Sequence, residues 1–478
     1  MGIRTAEQYK ASLRDGRRVY IRGEKVEDLT THPILSVSVE TVAQGFALSN
    51  SPDPEIRNLF TAFHPRTGEP VNRYFITPRN SEDLALRTKM IQRSIELTGG
   101  LPFGKDIGTD CLNAAFVVAG QMGKKQYQEN AANFLEFVRK HDLAMCGAVT
   151  CVKGDRAKEP AQQKHPDYYL HVVDRNQEGI VVKGAKIHIT SAPAANEIIV
   201  LPTRQMREGE ADYAVSFAIP ANTKGITFIC RAGRGDWTPH EFHPGHPPRE
   251  LTEAMIVFDH VFVPWDRVFM CGEWQFSMLL AYTFATFHRF TAISYKVPAV
   301  EVMAGCAVAM AEYNGLEKVS HIREKLADIA GYVETLRALT NAAARDPVMY
   351  GDIAVPNPLI ANMAKLHFAG RYHEFVRLIQ DICGGILATS PDRMDWENPD
   401  IHGYLEHYLG GSAKYSTEDR LKMIHAAQRM VCSHESSFHE VTTVHAEGSM
   451  AAQKMMILFE APLQRYKAMA QAAAGIKI

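Results

Sequence analysis

The chain has 478 residues, 46% of them hydrophobic and 22% charged, with a formal net charge of −2. This length suggests about three domains around a large core, and the small net charge gives no field to draw nucleic acid or an anionic membrane. No run approaches the ~18 apolar residues needed to cross a bilayer, and the start M-G-I-R-T-A-E-Q-Y-K lacks the apolar stretch of a secretion signal.

The expected setting is therefore the cytoplasm, with neither nucleic acid nor membrane as a partner. The eight cysteines, Cys111, Cys146, Cys151, Cys230, Cys271, Cys306, Cys383 and Cys432, are scattered, with no C-x-x-C among them. They read as reduced thiols, most of them core fillers, and no metal site is expected from them.

In chain order, residues 1–145 read as a helical domain. Thr5-Ala-Glu starts a first helix, and Ser81-Glu-Asp-Leu is an N-cap signature with acids in the first turn. Apolar residues recur at helical spacing from Asp83 to Thr98. Leu112 to Met122 reads as a buried helix, and Gln126 to His141 as a polar helix with Phe134, Leu135, Phe137 and Val138 on one face.

Residues 146–270 change period and read as a β-domain. Short runs at Ile180–Val182, Ile187–Thr190, Ile198–Leu201, Tyr213–Ile219, Ile226–Cys230 and Ala254–Val263 are bounded by Gly, Pro and Asn. Alternation in Tyr213–Ile219 predicts a half-buried strand. The stretch Arg231 to Glu250 is rich in Pro, Gly and His and reads as a long surface loop, in which His240, His243 and His246, with His260 further on, form no metal-ligand pattern.

Residues 271–478 read as a helical bundle. Val297 to Tyr313 is apolar with small residues. Val319, Ile322, Leu326, Ile329, Val333 and Leu336 form a 3-4 stripe that needs a partner helix. Leu359–Gly384, Glu418–Glu435 and Met450–Ala473 read as further helices. Helices, then a β-domain, then a bundle make the fold class α+β. No G-x-G-x-x-G, Walker, G-x-S-x-G or H-E-x-x-H motif is present.

The chemistry centres on His141 to Thr190. Its first part leaves a helix for a loop bearing Lys153, Gly154, Asp155 and Arg156. Its last part is a strand, in which Ile187 and Ile189 should face one way and Lys186, His188 and Thr190 the other. A loop rich in backbone N–H groups beside a β-wall suits a flat cofactor with polar edges.

The chain resembles the family that joins the oxygenase component of 4-hydroxyphenylacetate 3-monooxygenase to 4-hydroxybutyryl-CoA dehydratase. The resemblance rests on Thr5-Ala-Glu-Gln-Tyr, Val19-Tyr-Ile-Arg-Gly-Glu-Lys-Val, Thr31-His-Pro, Asp110-Cys-Leu-Asn-Ala and Asp142-Leu-Ala. It continues through Gly179-Ile-Val-Val-Lys-Gly-Ala-Lys, Tyr213-Ala-Val-Ser-Phe-Ala-Ile-Pro, Val257-Phe-Asp, Pro264-Trp-Asp-Arg-Val and Asp381-Ile-Cys-Gly-Gly. It implies an acyl-CoA dehydrogenase-like fold, a homotetramer, and FAD held between layers.

Gly147-Ala-Val-Thr, Lys153-Gly-Asp-Arg and Tyr313-Asn-Gly-Leu-Glu-Lys-Val-Ser-His resemble the dehydratase branch more closely. That branch holds a [4Fe-4S] cluster on three cysteines and one histidine. Here His288 matches the histidine, Tyr295 stands at one cysteine position, and Gly99 to Asp106 holds no cysteine. One imidazole cannot hold a cluster, so none is expected. In the hydroxylase branch the phenol-binding Arg, Tyr and His map to Ile107, Cys111 and Gly147, none of which can donate to a phenolate.

The resemblance also implies the site. The flavin ring would rest on Gly147, Ala148, Val149, Thr150, Lys153, Gly154, Asp155 and Arg156 and on Ile189, Thr190 and Ser191. Lys318, His321, Gly384 and Gly385 are candidates for the ADP part, reached from a neighbouring subunit. His288, Arg289 and Lys296 are the catalytic candidates, His288 because an imidazole exchanges protons near neutral pH. Two activities follow as expectations. One is hydroxylation of a small aromatic by O2 and reduced flavin supplied by a separate flavin reductase. The other is a redox-neutral or dehydrogenating reaction on an acyl-CoA without a cluster.

Overall fold

The computed structural model describes residues 2–99, 104–231, 242 and 251–476. Contacts divide the chain into two compact units, one drawn mainly from residues up to Thr291, the other mainly from Ala292 onward.

The first unit opens with α1 (Ala6–Ala11), which Thr5 starts through a capping box with Gln8. The strands β1 (Val19–Ile21) and β2 (Glu24–Lys25) precede α2 (Leu35–Ser49), α3 (Pro54–Phe60) and a hairpin of β3 (Thr61–Phe63) and β4 (Pro70–Asn72). Three long helices follow: α4 (Ser81–Thr98), α5 (Asp106–Met122) and α6 (Lys125–His141). The cap of α4 is Asn80, one residue before the expected Ser81: its extended backbone lets its side chain accept from Asp83 N.

Eight strands come next: β5 (Met145–Ala148), β6 (His171–Arg175), β7 (Gly179–Thr190), β8 (Glu197–Val200), β9 (Val215–Pro220), β10 (Ile226–Cys230), β11 (Glu253–Pro264) and β12 (Val268–Cys271). With β1 and β2 they form a six-stranded sheet, β2-β1-β10-β11-β7-β6, and a four-stranded sheet, β12-β9-β8-β5. The N-terminal helices are not a separate block. Phe46, Phe75, Leu112 and Val138 share one core with Ile198, Phe217, Phe258 and Val263. Helix residues cover the sheets, so β9 is buried on both faces from Val215 to Ile219, not half buried as alternation predicts.

The two separate runs expected at 180–182 and 187–190 are one 12-residue strand, β7. Its alternation is broken at His188, which adopts φ +59°. Ile189 pairs with Ala254 and Lys186 with Ile256, so Ile187 and His188 together face Met255, a β-bulge. The bulge reverses the expected facing: Lys186 turns inward and is 1% exposed, while Ile187 is half buried.

Gly184 lies at φ +134°, where a Cβ would come within 2.7 Å of Leu170 Cα and 2.9 Å of Tyr169 O. Gly184→Ala is expected to destabilise the unit by about 1–3 kcal/mol, since neither backbone atom can move aside cheaply. A shift of the urea midpoint at unchanged m checks this; an unshifted midpoint contradicts it.

The helix α7 (Ser277–Tyr313) runs through Pro298. The segment containing it, Trp274–Tyr313, is the one helix among the described residues long and apolar enough to cross a membrane by length and composition. The sequence expectation of no such run is corrected to that extent. Charged residues such as Lys296 and Glu301 interrupt the apolar run, so no long uninterrupted apolar stretch marks it in the sequence. Most of the segment is buried inside the protein, as in a core helix.

In the second unit α8 (Ser320–Arg345) packs on α9 (Pro358–Cys383) through Ile322, Ile329, Val333 and Leu336, the expected stripe. A hairpin of β13 (Val348–Tyr350) and β14 (Ile353–Val355), of which Met349–Ile353 belongs to the first unit, precedes α9. Beyond it lie α10 (Ile386–Thr389), α11 (Arg393–Glu397), α12 (His402–Tyr408) and α13 (Thr417–Val431). The chain then forms α14 (His434–His445), α15 (Met450–Glu460) and α16 (Leu463–Ala473). Two helices expected to be continuous are each split: Ser433 recaps the chain as α14, and Pro462 separates α15 from α16.

Candidate functional site

The wall expected to carry a flavin is formed by the end of β7 and the segment after β5. Ile187 N donates to Thr150 O at 2.9 Å, joining the two. Ala148 and Ile189 are core side chains, so they offer a ligand only backbone atoms. Gly147 serves close packing: a Cβ there would lie 2.8 Å from both Cys111 Sγ and Ile107 Cγ2. Ile107, Cys111 and Gly147 thus meet in one apolar corner.

The turn at 153–156 is fixed from beneath. Gln163 accepts from Asp155 N and donates to Asp155 O and Lys158 O, while a Cβ on Gly154 would strike Tyr168. Asp155 and Arg156 are exposed and Lys153 is half buried. Burial, then the charges of Lys153 and Arg156, lower the pKa of His188, so two cationic side chains stand near an imidazole held in its neutral form. Burial and the neighbouring Arg156 lower Lys153 in turn.

At the other end of the wall Thr190 Oγ1 donates to Glu253 Oε1 at 2.7 Å, and burial holds the Glu253 carboxyl above the usual carboxylate range. Ser191 adopts φ +57°, and its N donates to Thr252 O. Its hydroxyl is buried without a hydrogen-bond partner. A buried polar atom in that state calls for a ligand or water. The unpartnered Ser191 hydroxyl, with the cationic Lys153 and Arg156 beside His188, fits a group with a polar ring edge and an anionic tail, as FAD has.

His288 lies on α7, stacked on Phe284 with ring centroids 5.0 Å apart. Its Nδ1 is 3.5 Å from Asp110 Oδ2, and neither atom has a hydrogen-bond partner. The other oxygen, Asp110 Oδ1, accepts from Arg87 Nη2 at 2.8 Å and Thr291 Oγ1 at 3.0 Å. Asp110 is fully buried, so Arg87 compensates its charge. Nearby Asp106 is pushed up to about 7 by burial and by Asp110, against the pull of Arg87. Arg289, the next residue along, is buried at 3% exposure.

Lys296, eight residues further along α7, sits in a second charged cluster. Its Nζ lies 3.0 Å from Glu447 Oε2 and donates to Tyr295 Oη at 2.9 Å. Tyr295 Oη donates to Glu447 Oε1 at 2.6 Å. Lys365 Nζ is 3.2 Å from Glu447 Oε2 and donates to Thr443 O and Val444 O. The three charged side chains are all at most 1% exposed. Tyr295 is thus a hydrogen-bonded phenol, and this set of lysines, phenol and carboxylate does not fit a [4Fe-4S] cluster.

Burial lowers Lys296 to about 7, with Glu447 opposing the shift and Lys365 adding to it. An amine depressed from 10.5 to about 7 contributes stability that is present in full above about pH 10.5 and lost as pH falls through about 7. Unfolding free energy should therefore rise between those limits in the wild type and rise less in Lys296→Met. Urea titrations across that range test it; parallel pH profiles would contradict it.

Lys318 and His321 are exposed near the start of α8. Lys325 pairs with Asp381, so the first turns of α8 lie beside the last turn of α9. Gly384 caps that turn at φ +77°, its N donating to Gln380 O, and Gly384 and Gly385 are both exposed. Sequence reasoning missed Asp110, Glu253, Glu447 and the inward Lys186. Each acts on a partner far away in the chain, and no local spacing marks it.

Two family matches account for most of the chain: residues 5–270 match "4-hydroxyphenylacetate 3-hydroxylase N terminal" and residues 278–475 its "C terminal" counterpart. The 4-hydroxybutyryl-CoA dehydratase/vinylacetyl-CoA-Delta-isomerase of Clostridium aminobutyricum is 32% identical, over 99% of this chain and 100% of its own. The oxygenase component of 4-hydroxyphenylacetate 3-monooxygenase from Thermus thermophilus is 30% identical, over 90% of this chain and 89% of its own. An oxygen-tolerant archaeal 4-hydroxybutyryl-CoA dehydratase from N. maritimus superposes with a TM-score of 0.90 at 30% identity, covering 100% of this chain and 96% of its own. A 4-hydroxyphenylacetate 3-monooxygenase oxygenase component complexed with FAD superposes at 0.88 with 28% identity, covering 98% of each chain. The chain belongs to the 4-hydroxyphenylacetate 3-hydroxylase family.

Proposed function

We propose that this protein is a FAD-dependent oxidoreductase, the oxygenase component of a two-component monooxygenase that hydroxylates a small aromatic substrate with an acyl-CoA dehydrogenase-like arrangement of domains. The observation that carries the flavin assignment is the wall at Thr190, Ser191 and Glu253 with the cationic pair Lys153 and Arg156 beside His188. Its relatives include an oxygenase component solved with FAD and a FADH(2)-dependent monooxygenase. Bound reduced FAD would supply the electrons with which O2 is activated.

This chain's residues do the rest. Backbone N–H groups of Gly147–Thr150 and the Ser191 hydroxyl hold the ring edge, and Lys153 and Arg156 hold the anionic tail. His288, with Asp110 beside Nδ1, exchanges protons with substrate. The apolar corner of Ile107, Cys111 and Gly147 favours an aromatic other than 4-hydroxyphenylacetate. Lys318, His321, Gly384 and Gly385 receive the ADP part of a FAD bound in a neighbouring copy. Exposed Val302, Met455, Phe459 and Tyr466 offer apolar surface for assembly into a homotetramer. A separate flavin reductase and a cytoplasmic location complete the reading.

A second reading, a redox-neutral or dehydrogenating reaction on an acyl-CoA without a cluster, is favoured by the buried Lys296–Glu447–Lys365 group and by the missing phenolate donors. The test is a coupled assay: protein, FAD, a flavin reductase with NADH, and O2, over a panel of phenols and acyl-CoAs. An O2-dependent hydroxylated aromatic is the expected product. No aromatic product, together with anaerobic conversion of an acyl-CoA, would replace the first reading with the second.

A further inference from the structure

Lys186 has no role in the chemistry so far, yet its ammonium group is in an unusual place. Its Nζ donates to Val149 O and Leu201 O, both at 2.8 Å, and to Cys151 Sγ at 3.2 Å. An isolated antiparallel bridge joins the backbones of Cys151 and Lys186. The two residues are 2% and 1% exposed. Burial lowers the Lys186 pKa, which favours the free amine, the nucleophilic form.

The geometry points to Cys151 and Lys186 as a modification site, at which oxidation by hydrogen peroxide ends in a covalent sulfur–nitrogen cross-link. Peroxide converts the thiol to a sulfenic acid and releases one water. The Lys186 amine attacks that sulfur, the S–O bond breaks, and the hydroxyl leaves with an amine proton as a second water. Thiol, amine and one peroxide thus give a sulfenamide and two waters; sulfur loses two electrons and peroxide gains them. The reacting atoms are already 3.2 Å apart, with Lys186 on β7 and Cys151 bridged to it through the backbone, so the step is intramolecular.

After cross-linking, Nζ retains a single N–H and can hold only one of the two carbonyls. The segment at Val149 and Thr150 is then less firmly tied. Its effect on FAD retention rests on the flavin reading above; the cross-link does not.

The test is peptide mass mapping of the full-length protein after hydrogen peroxide treatment. The expected result is a joined Cys151–Lys186 peptide pair, lighter by two hydrogens than the separate pair and released by a thiol reductant. Cys151 recovered as a free thiol, or as sulfinic acid with Lys186 unmodified, would overturn the assignment. In Lys186→Met the thiol should proceed to sulfinic acid; if that variant does not fold, the wild-type map decides alone. A joined pair with unchanged FAD retention would overturn the loop consequence and leave the modification site standing.

Discussion

Glu447→Ala should lower the unfolding free energy by about 3–5 kcal/mol, the range for removing one partner of a buried ion pair. Glu447 presents its carboxylate to both Lys296 and Lys365 and accepts from Tyr295 Oη, all within 3.2 Å. Removing it leaves two ammonium groups facing one another in a site that water does not reach. The loss has a ceiling, because Lys296, already held at about 7, can give up its proton. Raising the pH should therefore reduce the deficit. Glu447→Gln keeps an acceptor for Tyr295 and should lose less than the alanine variant. Guanidinium titrations of the three proteins at neutral and alkaline pH decide it; a loss below about 1 kcal/mol would show the pair to be dispensable.

His288→Ala should lower turnover by about 10²–10⁴-fold, the usual contribution of a positioned acid–base group, while leaving FAD retention unchanged. The imidazole is stacked on Phe284 and its Nδ1 faces Asp110, so its other nitrogen is the one left to meet a substrate. Asp110 is anchored by Arg87 and Thr291, with its free oxygen 3.5 Å from the ring. His288→Gln, which preserves a hydrogen-bonding group but not proton exchange, should be nearly as slow. Turnover within a few-fold of wild type in both variants would remove His288 from the proposed chemistry.

The order of elements was largely legible in the sequence because helix and strand periods differ. The strand at Ile226–Cys230 has the expected limits, and the stripe on α8 meets a partner helix. The short strands β5 and β12 were not expected, since Met145–Ala148 and Val268–Cys271 are too brief to show a period and are strands only because β8 and β9 pair with them. Lys186 was placed on the wrong face because alternation cannot anticipate a bulge at His188. The candidate site was legible only through family resemblance. The residues that give it charge balance, Asp110, Glu253 and Glu447, find their partners by folding, as when Glu447 reaches Lys296 across 151 positions.

Flavin binding at the β7 wall and the Lys153–Arg156 turn is read out by fluorescence titration of the purified protein with FAD. Saturable quenching with a Kd of about 1 μM or tighter is expected, weakened in a Lys153→Ala/Arg156→Ala double variant that unfolds at the same urea midpoint as the wild type. Unquenched fluorescence, and FAD that passes freely through a desalting column, would contradict the account.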